Sequence, residues 1–375
     1  MFRSNKIIIT GGHLTPALAI ISKLQKEGWE ILFIGRKHAL EGDPSLSVEY
    51  KTIKDLGIPF VSLTTGRLQR SFTRYTLFSL LKVPVGFFQS LYWVLRFKPD
   101  IILSFGGYLA LPVALASWFS QVPVVTHEQS VIPGLATKII GLFARKICVS
   151  WEETLPFFPK KKVVLTGNPL REEIFKKRPS SIIHHLSSED LPLIYITGGS
   201  LGAHSINQVI AEILPRLLTA HRVIHQCGDA QKYKDYEYLS SIIYHLSSNL
   251  KKRYFLTKYV EAEDIGWVFN SADLVVSRSG ANIVTELAAC GKPAILIPLP
   301  WAGSQEQAAN ARLLKTVGIA TILPQDKLTA EAFLSSVDKA IKNLGLLAKN
   351  ASQAKKLVNP HAADNLMAIL SEVAR

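Results

Sequence analysis

Two stretches of this chain, Lys6-Ile7-Ile8-Ile9-Thr10-Gly11-Gly12 and Leu193-Ile194-Tyr195-Ile196-Thr197-Gly198-Gly199, share the string Ile-Thr-Gly-Gly at an offset of 187 residues. Each is a short apolar run that ends in glycines and leads into helix-patterned sequence, Pro16 to Leu24 and Ser205 to Leu218. Such runs suit strands buried on both faces. Terminal glycines let the backbone come close to a ligand. Strand-like runs recur in both halves: Ile31–Ile34, Ile101–Phe105, Val122–Thr126 and Val163–Thr166, then Arg222–Gln226, Leu274–Ser277 and Ala294–Ile297. Strands alternating with helices indicate a parallel sheet with helices on both faces, and the repeat indicates two such domains. The predicted class is therefore α/β, with two Rossmann-like domains. Ligands of such open sheets bind at the strand ends that carry the glycines.

The first boundary is expected at Thr166-Gly167-Asn168-Pro169, where Asn-Pro after a strand signals a turn. This gives an N-terminal domain over 1–166 and a second domain over 167–345. Residues 346–375 form a C-terminal segment whose amphipathic stretch, Ala362 to Val373, is suited to returning to the first domain. Ser180 to Ser188 recurs almost intact at Ser240 to Ser248, but nine residues without a wider period do not make a structural repeat.

With 375 residues, 48% of them hydrophobic and 19% charged, each domain can bury a core, and disorder is excluded. Cys148, Cys227 and Cys290 are odd in number and lack CxxC spacing, which favours a reducing compartment and buried thiols. His184 and His185 lack metal-ligand spacing with any Cys or carboxylate. The first residues offer no apolar stretch long enough for a secretory signal. Ile101 to His127 contains no Lys, Arg, Asp or Glu, yet Gly106-Gly107, Pro112 and Pro123 break it up. It reads as a buried strand–helix–strand unit and not as a membrane span.

The net charge of +14 is concentrated in the first half, where residues 1–167 carry 20 Lys and Arg against 10 Asp and Glu. Between Asp55 and Asp100 no acidic residue occurs. Arg67, Arg70, Arg74, Lys82, Arg96 and Lys98 lie there among Phe72, Tyr75, Phe78, Phe87, Phe88, Tyr92 and Trp93. Cations interleaved with aromatic bulk suit peripheral docking on an anionic membrane surface. A buried helix pair with a solvated basic face is the plain alternative. Nucleic acid is not expected, because no zinc-finger, RNP-like or helix-turn-helix signature accompanies the charge.

The segment Ser277-Arg278-Ser279-Gly280-Ala281-Asn282-Ile283-Val284-Thr285-Glu286 follows an apolar run and opens a helix. Its turn offers backbone N–H groups and a positive helix end to an anion. Glu286 lies two helical turns beyond Ser279 on the same face, where it could accept from ribose hydroxyls. The plain alternative is an ordinary strand–turn–helix capped by Ser279. Gly198-Gly199-Ser200-Leu201-Gly202-Ala203 is a second such turn. It lacks the GK[ST] ending of a P-loop and the full GxGxxG of a dinucleotide fold. Arg171 carries a planar fork suited to diphosphate oxygens. His13, after Gly11-Gly12, can titrate near neutrality and so accept a proton from a sugar hydroxyl, or it can serve only at the helix start.

Together these motifs resemble the nucleotide-sugar half of GT-B glycosyltransferases, and more narrowly the MurG family. That family adds N-acetylglucosamine to the lipid-linked muramyl-peptide precursor of peptidoglycan. The resemblance runs from Lys6 to about Gly318 with the motifs in the expected order. It implies a GT-B fold, two Rossmann-like domains with parallel sheets facing across a cleft. It implies an inverting transfer from UDP-N-acetylglucosamine to the C4 hydroxyl of undecaprenyl-pyrophosphoryl-MurNAc-peptide. The donor site would draw on Thr10, Gly11, Gly12, Ser130, Arg171, Ser200, Val260, Ala281, Asn282, Ile283, Val284, Thr285, Glu286 and Gln307. Gly106, Gly107, Tyr108 and His127 would face the acceptor, and the base would be His13 or, failing that, Glu128.

No Asp-x-Asp occurs, so no cofactor and no tightly bound metal are expected. The implied location is the cytoplasmic face of the bacterial membrane, held peripherally. The chain departs from the family pattern at several positions. Its first glycine loop is shorter than the usual Gly-Gly-x-Gly-Gly-His, with one Gly-Gly pair before His13. Ser130 and Thr137 stand where Asn is typical, Leu201 where Gln is usual, and Ile283 where a hydroxyl residue is common. A GT-B epimerase, another lipid glycosyltransferase and a catalytically degenerate membrane scaffold are the competing readings.

Overall fold

The computed structural model describes residues 5–38, 46–66, 74–176, 180–300 and 305–374; within these, the side chains of 74–81, 181 and 183 are not described. The chain folds as two units, Met1–Arg171 with Asn359–Arg375, and Glu172–Val358.

The first unit holds β1 (Lys6–Thr10), α1 (Leu14–Lys26), β2 (Glu30–Gly35), α2 (Val48–Asp55), β3 (Phe60–Ser62) and α3 (Arg74–Phe97). It continues with β4 (Ile101–Ser104), α4 (Ala110–Phe119), β5 (Val124–Glu128), α5 (Leu135–Phe143), β6 (Lys146–Val149) and β7 (Val163–Leu165). The seven strands are ordered β3-β2-β1-β4-β5-β6-β7, and all the pairings are parallel.

The second unit holds β8 (Leu193–Thr197), α6 (His204–Leu217), β9 (Arg222–Gln226), α7 (Asp235–His245), α8 (Ser248–Lys251) and β10 (Tyr254–Thr257). Next come α9 (Ala262–Ser271), β11 (Leu274–Ser277), α10 (Ala281–Cys290), β12 (Ala294–Leu296), α11 (Glu306–Thr316) and β13 (Ala320–Ile322). It closes with α12 (Ala330–Lys342), α13 (Leu344–Lys349) and α14 (Ala351–Lys356), before α15 (Ala362–Val373) rejoins the first unit. Its six strands run β10-β9-β8-β11-β12-β13, again parallel.

The central strands are buried on both faces, as their unbroken Ile and Val runs demand. In β1, Ile7 and Ile9 join α1 and α15 on one side, with Leu366 and Leu370 supplying the returning helix. Ile8 faces the opposite side, against α3, α4 and α5. Each glycine of the repeated Ile-Thr-Gly-Gly string thus sits at the end of a central strand.

The sequence placed the domain change at 166 and the returning segment at 346. The change falls instead after Arg171, and the return starts at Asn359. Residues 346–358 stay with the second unit because α14 packs on α10, where Ala351 closes over Gly291. The strand expected at Val122–Thr126 lies slightly later, at Val124–Glu128. Arg67 and Arg70 of the basic stretch lie outside the described residues. No helix among the described residues is long and apolar enough to cross a membrane.

Candidate active-site loops in the two units

In each sheet the strand order reverses once, between β1 and β4 and between β8 and β11. Chains leaving the two strands at such a point turn to opposite faces and open a crevice at their C-terminal ends. Both pairs of strands end in the loops singled out in the sequence.

In the second unit, the loop after β8 is tight. Gly202 has φ +75°, and a Cβ there would lie 1.9 Å from the Cys227 carbonyl oxygen, so no larger residue fits. The loop leaves Gly199 and Ser200 exposed at the start of α6, whose N-cap residue Ala203 makes no side-chain cap. Beside it, α10 starts at Ala281 after Gly280, also without a side-chain cap. Both helices thus open without a side-chain cap, and their positive ends point the same way as the strands.

Arg278 joins the two turns. Its Nη2 donates to Ser205 Oγ (2.8 Å) in the first turn of α6, and its Nη1 donates to the Ile297 carbonyl (3.2 Å). Burial lowers its pKa to about 10, so it stays a cation at neutral pH. Glu286 is buried in α10, as are Ala281, Val284 and Thr285, while Asn282 and Ile283 are half-buried.

Gln226, at the end of β9, ties the remaining pieces together. Its Nε2 donates to the Gly199 carbonyl (3.1 Å), and its Oε1 accepts from Val260 N (3.1 Å) and from Tyr195 Oη (3.0 Å). One side chain thus links the glycine loop to the segment carrying Val260. The sequence reading missed Gln226 and Arg278 as organisers; the only available signal for each was a polar residue ending or leaving a buried strand. Ser279 changes role. It is fully buried and its hydroxyl donates to the Gln307 carbonyl (2.8 Å), so its side chain fastens α11 and neither caps α10 nor reaches a phosphate. Gln307 in turn accepts from Leu299 N (2.9 Å) through its Oε1.

In the first unit, Gly12 has φ +148°, and a Cβ there would lie 2.8 Å from the Gly106 carbonyl oxygen. The first and second glycine loops are therefore in backbone contact. His13 follows as the N-cap of α1, in an extended conformation and half-buried. Desolvation lowers its pKa to about 4, so the ring is neutral at pH 7 and keeps a lone pair for a proton. Gly107 is exposed and Tyr108 half-buried, its ring beneath the Arg36 guanidinium (5.6 Å to the centroid). Thr10 lies fully buried under the loop.

His127 and Glu128 are both tied to neighbouring backbone. His127 is fully buried: Nε2 donates to the Gly167 carbonyl (2.9 Å) and Nδ1 accepts from Gln129 Nε2 (3.2 Å). Burial lowers its pKa to about 4, with the Gly167 bond opposing and nearby His13 reinforcing. Glu128 Oε1 accepts from Ser130 N (3.0 Å) and Oε2 from Gly134 N (3.1 Å), which orders the turn into α5. With both oxygens held by backbone amides, it is poorly placed to take a substrate proton. Ser130 is buried in this same turn, and Arg171 is the last residue of the first unit.

Comparison with known proteins adds to this geometry. Residues 8–149 match the glycosyltransferase family 28 N-terminal domain, and residues 193–366 match the family's C-terminal domain. A UDP-N-acetylglucosamine–N-acetylmuramyl-(pentapeptide) pyrophosphoryl-undecaprenol N-acetylglucosamine transferase of Bacillus cereus is 35% identical, covering 90% of this chain and 92% of its own. The transferase of that name from Lachnoclostridium phytofermentans is 33% identical, covering 98% and 99%. The crystal structure of Acinetobacter baumannii MurG superposes with a TM-score of 0.71 at 26% identity, covering 99% and 100%.

Proposed function

Because the chain belongs to glycosyltransferase family 28, we propose that it moves N-acetylglucosamine from UDP-N-acetylglucosamine to the C4 hydroxyl of a lipid-linked N-acetylmuramyl-peptide. The observation that carries this reading is the 35% identity to a transferase of that specificity over 90% of the chain. The loops at the two reversal points support it.

The donor's diphosphate sits against the starts of α6 and α10, near Ser200 and the Arg278 cation, with Glu286 receiving the ribose hydroxyls. Fixed amides and a nearby cation stabilise charge as it develops on the departing UDP, without reorganisation. On the acceptor side, neutral His13 takes the C4 hydroxyl proton as that oxygen attacks the anomeric carbon and the bond to UDP breaks. The displacement inverts the anomeric centre. Protein groups carry the charge in this scheme, and it calls on no metal.

The first unit also offers a surface for the lipid that bears the acceptor. Val85, Phe88, Tyr92 and Leu95 form an exposed stripe along α3 at helical spacing. Phe119 and Trp118 at the end of α4 extend it, with Phe119 against Phe87 (6.5 Å between centroids) and Trp118 against Phe143 (5.6 Å). An open hollow of about 940 Å³ beside them is lined by Trp118, Leu142, Phe143, Arg145, Lys146 and Lys161, among others. Exposed aromatic and aliphatic groups rimmed by cations fit the headgroup zone of an anionic bilayer. We therefore read the protein as peripheral on the cytoplasmic leaflet, with α3, α4 and α5 toward the lipid. The sequence had assigned Trp118 and Phe119 to a buried unit; the structure exposes both.

Purified protein incubated with labelled UDP-N-acetylglucosamine, with and without the muramyl lipid, tests the reaction. Label must enter the lipid fraction only when that acceptor is present. Consumption of the nucleotide sugar without the lipid would indicate an epimerase. UDP binding without turnover in either mixture would indicate a degenerate scaffold.

A further inference from the structure

The shortened first glycine loop is not left empty on its outer side. Glu49, in the first turn of α2, reaches back over the ends of β1 and β2. Its Oε1 accepts from Gly12 N (3.3 Å) and its Oε2 accepts from Arg36 N (3.0 Å). The carboxylate also crowds two glycines. A Cβ at Gly11 would lie 2.2 Å from Glu49 Oε1, and one at Gly35 would lie 2.5 Å from Oε2. Neither residue has positive φ, so neither is glycine for conformational reasons. At Gly11 the carboxylate occupies the space that a side chain would need, and at Gly35 it shares that space with the Phe33 and Phe60 rings, each 2.9 Å from where a Cβ would lie.

The helix that carries Glu49 is itself anchored to this corner. Ser47 caps α2 by accepting from Tyr50 N (3.1 Å), and its hydroxyl donates to the Arg36 carbonyl (2.5 Å). Arg36 is thus held from both its carbonyl and its amide. On the other side of the loop, Gly12 lies against Gly106, and a Cβ on Gly106 would lie 2.8 Å from Thr137 Oγ1. Gly12 is clamped between a carboxylate and the second glycine loop, and His13 is the next residue.

We propose that Glu49 is the positioning residue of this loop, its carboxylate filling the space between the ends of β1 and β2 and so fixing the backbone from which His13 approaches the acceptor. The role rests on the transferase reading for its kinetic consequence, but not for its structural one. Burial raises the Glu49 pKa while the Arg36 and Gly12 amides and the Arg36 charge lower it, a balance expected of a carboxylate enclosed by its own loop. Because the carboxylate already takes the Gly12 and Arg36 amides, an acceptor diphosphate must draw its backbone donors from elsewhere.

Glu49→Gln keeps the shape but sets an amide N–H₂ against a backbone donor, so one hydrogen bond is lost; Glu49→Ala removes both. Hydrogen exchange over residues 10–16 should quicken in each variant, with residues 198–203 and UDP affinity unchanged. Turnover with the muramyl lipid should fall by roughly 10- to 100-fold, the scale of a small misplacement of a reacting group. Formate should restore part of the Glu49→Ala activity, and chloride at equal ionic strength should not. A Glu49→Gln protein with wild-type exchange over 10–16 and wild-type turnover overturns the proposal. So does a Glu49→Ala loss that formate leaves untouched, or a loss accompanied by an equal fall in UDP affinity. If the wild type transfers no sugar to the lipid while Glu49→Gln still loosens residues 10–16, the acceptor reading fails and the role of Glu49 stands.

Discussion

Replacing Phe88, Trp118 and Phe119 together with Ser should detach the protein from anionic vesicles. The three side chains are 66%, 59% and 68% exposed, so they contribute little to the core. A large aromatic side chain presents about 150–250 Å², which leaves roughly 120 Å² of each open to solvent. At about 25 cal/mol per Å², full transfer of that area out of water contributes about 3 kcal/mol per residue. In the headgroup zone about half of this is realised, so the three together contribute roughly 4–5 kcal/mol and their loss should weaken binding about 10³-fold. Co-sedimentation with vesicles containing anionic lipid measures it directly. Raising the salt should remove the share carried by Arg145, Lys161 and their neighbours but leave the aromatic share. UDP affinity and turnover of a short-chain soluble acceptor should be unchanged. A triple variant that sediments within a few-fold of wild type would refute the assignment of this face to the bilayer.

Glu286→Ala should cost about 1.5–3 kcal/mol of UDP affinity through lost charge-assisted hydrogen bonds, read by titration calorimetry; unchanged affinity removes it from the site. His13→Ala should lower kcat by about 10²–10⁴-fold with UDP binding intact. Because the neutral ring is the base and its pKa is about 4, the acid limb of kcat/KM in the wild type should lie near that value and not near 6.5. Gln226→Leu removes an acceptor of the buried Tyr195 hydroxyl and frees the Gly199 and Val260 segments, so the second unit should lose about 2–4 kcal/mol in urea unfolding. Adding Tyr195→Phe should recover part of that loss, and strict additivity of the two substitutions would contradict the network. The buried His127 and His225 have pKa values lowered to about 4 and about 3. Below pH 6.5 the unfolded chain binds protons that the native rings refuse, so each should remove about 1.4 kcal/mol of stability per pH unit until its folded pKa is reached. Urea midpoints that stay constant from pH 7 to 5 would contradict this.

What the sequence revealed were features written within a few consecutive residues. Apolar runs closed by glycines identified the central strands and the loops at their ends, because a two-sided buried strand needs an unbroken apolar run whatever surrounds it. Local pattern fails where tertiary context decides. The almost identical nonapeptides at 180–188 and 240–248 show this: Ser181–His185 forms a 3-10 turn, whereas Ser240–His245 completes α7. The second copy extends a helix already nucleated at Asp235.

The same limit governs the candidate site. His127-Glu128-Gln129 looked chemical because reactive residue types stood together at a strand end. Burial and backbone partners, which no local string encodes, hold the first two in place. Glu49 is the reverse case. It stands 37 residues from Gly12 along the chain, beyond the reach of any local pattern. The signal was indirect and lay in its neighbours. Gly11 and Gly35 have no conformational need to be glycine, so something must occupy the space their side chains would take. A shortened loop has fewer amides and less backbone of its own to support it, and a carboxylate from α2 can supply that support. The short loop and the crowding at Gly11 thus meet at one side chain, which at Gly35 acts together with the Phe33 and Phe60 rings.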